Sequence, residues 1–215
     1  MDYLYLHGFA SSPQSSKAQF FKDRFAWMGQ SLHILDLNQG DFTHLTLSRQ
    51  IKQGVDWVTA HGPVTIIGSS LGGVTATWIT QDPRTQGIVS DLILLAPAFQ
   101  FLAQWLPRLG NATVDHWQAT GSLPIYHYGY QQQLPLAYDF VTDAQQYNEQ
   151  DLDVPVPTLI LHGRQDEVID IQVSRDYARS RPWVKLRELE SDHSLASVYP
   201  ELWRAIATFI EAQNL

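Results

Sequence analysis

Short apolar runs alternate along this chain with longer amphipathic stretches. The runs are Tyr3–Leu6, Leu32–Leu35, Val64–Ile67, Leu92–Leu95 and Thr158–Leu161, with a weaker sixth at Trp183–Leu189. His7-Gly8, Asp36, Gly68, Ala96-Pro97 and His162-Gly163 close the first five. Continuous apolar runs of four or five residues predict strands buried on both faces. Between them, Ala18–Met28, Leu45–Ala60, Leu71–Thr80, Val168–Ser180 and Pro200–Gln213 predict helices. In the second of these, Leu47, Ile51, Val55 and Val58 recur at helical spacing. In the last, Pro200 stands near the helix start, where its missing N–H costs little. Strand and helix in alternation predict a three-layer α/β/α sandwich on a mostly parallel six-stranded sheet.

Residues 97–157 break this rhythm. They show no βα unit, and they carry Trp105, Trp117, Tyr126, Tyr128, Tyr130, Tyr138, Phe140 and the run Gln131-Gln132-Gln133. A long irregular connection of this kind reads as a lid or cap inserted over the sheet. Its aromatics either line a pocket or pack on the sheet, and the sequence does not separate the two. With 215 residues, the whole of 1–215 is expected to form one domain with this insertion.

Composition narrows the function classes. The formal net charge is −8 and no Lys/Arg cluster stands out, which argues against nucleic acid and anionic lipid as partners. There is no cysteine, so disulfides, thiolate catalysis and cysteine-held metals are excluded. No run approaches the ~18 apolar residues of a membrane span. Tyr3-Leu4-Tyr5-Leu6 follows Met1-Asp2 directly, without a basic segment and apolar core of a secretory leader. The expectation is a cytoplasmic protein without a membrane span, a monomer or weak homodimer.

Gly68-Ser69-Ser70-Leu71-Gly72 matches G-x-S-x-G. Three fixed positions match by accident at roughly 0.0003 per site, in about one chain of this length in fifteen. The setting matters more than the pentapeptide. A buried strand precedes it, and a helix start with Gly72, Gly73 and Ala76 follows, as a nucleophile elbow requires. Small neighbours let strand and helix approach, and the helix dipole favours negative charge developing at Ser70. Only Ser70, and not Ser69, has glycine at both −2 and +2. The bland alternative is a Gly/Ser helix cap.

A serine nucleophile needs a base, and the base an orienting acid, in the chain order Ser, Asp/Glu, His. Asp166 is the first carboxylate after the fifth run, with Glu167 and Asp170 as competitors that could instead serve a helix N-terminus. His193 is the only histidine after the last run; alone it would pass for an exposed loop residue. Asp192 reads as its solvated neighbour. Phe9, on the loop after the first strand, and Leu71 are the expected backbone donors of an oxyanion hole. His7, Gly8, Ser69, Tyr126 and Tyr128 are expected at the substrate site, His7 and His162 also as buried histidines holding their loops. His33, His44, His61, His116 and His127 are expected on the surface or the lid, with His127 able to line the pocket.

Together these residues resemble the α/β-hydrolase superfamily. Leu6-His7-Gly8-Phe9-Ala10-Ser11-Ser12-Pro13 with Ser16-Lys17-Ala18, Gly68 to Gly73, and Leu161-His162-Gly163-x-x-Asp166-Glu167-Val168 resemble more narrowly the small bacterial YqiA-like esterases. The resemblance implies a compact sheet lacking the two leading strands of larger relatives, and ester hydrolysis. It is weakest over 97–157.

The expected function is therefore cleavage of a small-molecule carboxylic ester or thioester through an acyl-enzyme, by Ser70, His193 and Asp166. No metal or organic cofactor is expected. Acyltransferase or peptidase chemistry would use the same triad, and a non-catalytic binder of the same fold would need none of it. Neither G-x-x-x-x-G-K-[ST] nor G-x-G-x-x-G is present, so a nucleotide-binding reading of the glycine turn has little support.

Overall fold

The computed structural model describes residues 1–213. Six parallel strands, β1 (Asp2–Leu6), β2 (Leu32–Leu35), β3 (Val64–Ser69), β4 (Val89–Leu95), β7 (Thr158–Gly163) and β8 (Val184–Leu189), form one sheet in the order β2-β1-β3-β4-β7-β8. Every pairing in it is parallel, so the sheet is more uniform than the mostly parallel one expected. The strands alternate between two cores with period two. Leu4, Leu6, Ile66, Leu92 and Leu94 face α2 (Leu47–His61), α3 (Leu71–Gln81) and α7 (Ile171–Arg179). Tyr3, Tyr5, Ile67, Ile93 and Leu95 face α1 (Ser16–Trp27) and α8 (Tyr199–Gln213). Both faces are covered, which is why the central strands read as continuous apolar runs. The edge strands β2 and β8 keep exposed positions and gave weaker or shorter runs.

Local chemistry places the helix starts. Ser15, Thr46 and Asp170 accept from the N–H groups of Ala18, Arg49 and Gln172, capping α1, α2 and α7. α3 is buried along nearly its whole length, so it sits at the centre of one layer.

The insertion is more ordered than the sequence pattern suggested. It contains α4 (Phe101–Leu109), α5 (Asn111–Thr120), an antiparallel hairpin β5 (Ser122–His127) and β6 (Gln132–Ala137), and α6 (Asp139–Ala144). Pro124 and Pro135 stand opposite each other in the hairpin, and it is partly exposed on both strands, which removed the strand signal. Trp117, Leu136, Phe140 and Val141 join the same apolar cluster as Leu4, Ile66 and Leu94. The indole N–H of Trp117 donates to Leu136 O at 2.8 Å, tying α5 to β6. Trp105, Trp117, Tyr138 and Phe140 thus pack in or against this cluster, whereas Tyr126, Tyr128 and Tyr130 are exposed. No described helix is long and apolar enough to cross a membrane.

Candidate active site

The C-terminal ends of the central strands converge on Ser70. It links β3 to α3 with φ 53° and ψ −119°, a left-side torsion unusual for a residue with a side chain. The surroundings hold it there. Ser70 N–H donates to Leu95 O at 2.9 Å, and Ser70 O accepts from Ala98 N–H at 3.1 Å and Gly73 N–H at 2.9 Å. The helix can start this close to β1 because position 72 is glycine: a Cβ there would lie 2.5 Å from His7 O.

His193 arrives on the loop after β8, with its Nε2 3.0 Å from Ser70 Oγ. Its Nδ1 lies 2.7 Å from Asp166 Oδ2, so the tautomer that serves both contacts carries its proton on Nδ1 and accepts from Ser70 at Nε2. The Asp166 side chain is fully buried, and His193 is 19% exposed on the side chain. Burial by itself would raise the Asp166 pKa. Hydrogen bonds from His162 and His193, with the Ile169 N–H, outweigh it and hold the carboxyl below the usual carboxylate range. Asp166 Oδ1 also accepts from Val168 N–H at 2.9 Å and Ile169 N–H at 2.7 Å. Of the competing acids, Asp170 caps α7, and Glu167 reaches only the backbone N–H of His193, at 3.4 Å. Asp192 accepts from Leu195 N–H and the Ser194 hydroxyl on its own loop.

The histidines separate cleanly. His162 is buried, with Nε2 3.0 Å from Asp166 Oδ2 and Nδ1 2.8 Å from Ser174 Oγ, so it braces the acid. His7 is buried, donates from Nδ1 to Gly8 O at 2.9 Å and accepts Leu37 N–H at Nε2 at 3.0 Å. It fixes the loop after β1 against the end of β2. That loop faces the serine: a Cβ on Gly8 would stand 3.2 Å from Ser70 Cβ and 3.8 Å from its Oγ. The Phe9 ring is wedged among Phe42, Phe101, Trp105 and Phe140 at centroid distances of 5.2–5.8 Å, so the insertion anchors the loop. Within the described residues neither Phe9 N–H nor Leu71 N–H has an acceptor.

Other expected site residues lie elsewhere. Tyr126 and Tyr128 are exposed on the hairpin and pack on each other at 5.2 Å; only the Tyr128 backbone touches the loop after β1, donating to Ala10 O at 2.9 Å. His127 is buried against Phe42 and Tyr130, and burial lowers its pKa, whereas His33, His44, His61 and His116 are exposed. Ser69 is buried beneath the elbow, where its Oγ accepts from Lys17 Nζ at 3.2 Å. Lys17 is the residue sequence reasoning passed over. Burial pulls its ammonium down to about 8, against the opposing pull of Asp166 and Asp192. Its only mark in the sequence is its place in Ser16-Lys17-Ala18 at the start of α1.

The chain matches the model of the uncharacterised protein family UPF0227 over residues 2–210. It belongs to that family. Solved structures carry the same fold at low identity. Est1E from Butyrivibrio proteoclasticus, in a structure with bound ferulic acid, is 19% identical over 99% of this chain and 89% of its own, with a TM-score of 0.81. Mouse alpha/beta hydrolase domain-containing protein 10 is 21% identical over 98% and 90%, with a TM-score of 0.80. A monoacylglycerol lipase of Paleococcus ferrophilus is 15% identical over 98% and 94%, with a TM-score of 0.77. The fold is thus that of the α/β hydrolases.

Proposed function

We propose that this protein is a serine hydrolase that cleaves carboxylic esters or thioesters through an acyl-enzyme. The observation that carries the reading is the unbroken chain from Ser70 Oγ to His193 to the buried Asp166. His193 Nε2 takes the Ser70 proton as Oγ attacks the carbonyl carbon, and the carbonyl π bond opens to an oxyanion. The unoccupied N–H groups of Phe9 and Leu71 are the donors for that oxygen. As the intermediate collapses, the bond to the leaving group breaks and His193 returns the proton to it. Water, deprotonated by the same histidine, then releases the acid and restores Ser70. Asp166 keeps its charge throughout and stabilises the imidazolium.

Fluorophosphonate labelling tests the nucleophile. The wild type should label at Ser70 and Ser70→Ala should not, with p-nitrophenyl ester turnover in the variant falling by roughly 10⁴-fold or more. Equal labelling of both would remove Ser70 from the mechanism. Labelling without turnover of any ester would favour acyl transfer or peptide cleavage by the same residues.

A further inference from the structure

A cavity of about 670 Å³ runs between α3, α7 and the chain that follows α6. Neither Ser70 nor His193 lines it, but it begins one residue away. Leu71 directly follows Ser70, and Phe99 follows Ala98, which donates to Ser70 O. Leu71, Val74 and Trp78 recur at i, i+3 and i+7, so one face of α3 forms its long wall. From Leu71 to Trp78 that face spans roughly 10 Å, the length of about eight extended methylenes. The ring of Phe99, stacked on Tyr177 at 4.2 Å, also lines it.

Part of the lining is polar and carries carboxyl groups. Glu149 Oε1 accepts the Gln100 N–H at 2.7 Å, and burial pushes the carboxyl up to about 7, despite the pull of Gln100 N–H and Arg181. Arg181 does not offer an anion site. Its guanidinium lies 4.0 Å over the Tyr177 ring and donates to the carbonyls of Leu152 and Tyr177 and to Ser180 Oγ. Asp176 lines the same rim and adds a second carboxylate. Tyr177, with its hydroxyl raised to about 12, stays neutral. A ligand here meets an apolar wall and two carboxyl groups, and the cations beside them are already engaged, Arg181 as above and Arg179 with Asp176 at 3.1 Å.

We propose that this cavity is the acyl site of the hydrolase, taking an uncharged apolar acyl group of about eight carbons, and that Glu149 bars acyl groups carrying a distal negative charge. The inference rests on Ser70 being the nucleophile. Acyl carbons bound to Ser70 would run along the Leu71–Val74–Trp78 face of the cavity that Glu149 also lines.

The test compares p-nitrophenyl acetate, octanoate and hemisuberate, the last an eight-carbon acyl group ending in a carboxylate. Ala144→Phe and Ala103→Phe, each checked for folding by circular dichroism and for Ser70 labelling, narrow the cavity from two sides. In whichever folds, the octanoate-to-acetate ratio of kcat/KM should fall by roughly tenfold or more. Glu149→Gln keeps the shape and removes the charge. The wild type should reject hemisuberate relative to octanoate more strongly at about pH 8 than at about pH 6, as Glu149 ionises while the substrate charge stays fixed. In Glu149→Gln that pH-dependent gap should close. An unchanged octanoate-to-acetate ratio in a folded, labelled filling variant would overturn the acyl site. An unchanged hemisuberate gap in Glu149→Gln would overturn the role of Glu149. Loss of wild-type labelling would instead place the failure at the nucleophile.

Discussion

A single side chain, Lys17, tests how the ground beneath the elbow is charged. Its ammonium donates to Ser69 Oγ, and burial lowers its pKa from 10.5 to about 8. A base with a depressed pKa opposes folding while it is charged. Between about pH 8 and pH 10.5 the unfolded chain keeps that proton and the folded chain has lost it, so stability rises with pH there. Below that window the cost is fully present, up to ~3 kcal/mol. Lys17→Met should therefore be more stabilised relative to the wild type at about pH 7 than at about pH 10. Urea midpoints at the two pH values measure this. The same difference at both would mean that the ammonium is better solvated or paired than its surroundings indicate. The residue was invisible beforehand for a physical reason: nothing in a Ser-Lys-Ala helix start says where a flexible four-carbon stem will end. The convergence of Ser70, Asp166 and His193 was legible because a triad constrains order and each stands on the connection that follows a strand. His127 was not, since its burial comes from Phe42 and Tyr130, which only the tertiary fold brings to it.

At the level of elements, the candidate site depends on how closely the loops after β7 and β8 approach. Gly163 ends β7, and a Cβ there would lie 2.6 Å from Asp192 O and closer still to Ser191 O. Arg164 N–H and Gln165 N–H donate to Leu189 O and Ser191 O at 2.8 and 3.0 Å, zipping the two loops together. Asp166 and His193 hang from opposite sides of this seam. Gly163→Ala must push it apart, at a cost of ~1–3 kcal/mol of stability. Because a displacement of about 1 Å can cost roughly 10²-fold in rate, ester turnover should fall by at least that much. Fluorophosphonate labelling rates together with thermal melts read both effects. A variant of normal stability and full turnover would show that the seam is softer than its backbone contacts suggest. The apolar run Thr158–Leu161 made β7 readable, but not the closeness of its far end to β8. The hairpin was hidden more completely, since paired prolines and glutamines replace the alternating pattern that marks a strand.

Across the whole molecule, the question is whether the insertion behaves as a separate body. Trp117, Leu136 and Phe140 pack in one apolar cluster with β1, β3 and β4, and the insertion's Phe101, Trp105 and Phe140 surround Phe9 on the loop that faces Ser70. The hairpin adds backbone bonds from Tyr128 to Ala10 and from Ala137 to Thr43. Shared packing of this density couples the insertion's folding to that of the sheet. Trp117 is fully buried and its indole N–H is satisfied, so Trp117→Ala should cost ~3–5 kcal/mol of global stability. The expected signature is a lower urea midpoint with an unchanged m-value, and tryptophan fluorescence and far-ultraviolet circular dichroism that unfold together. If the insertion melted first, the two probes would part and m would drop. The same coupling bears on chemistry, because a loosened aromatic cluster would release Phe9. Trp117→Ala should then lose ester turnover along the same urea transition as its circular dichroism, because the loop after β1 and the sheet give way together.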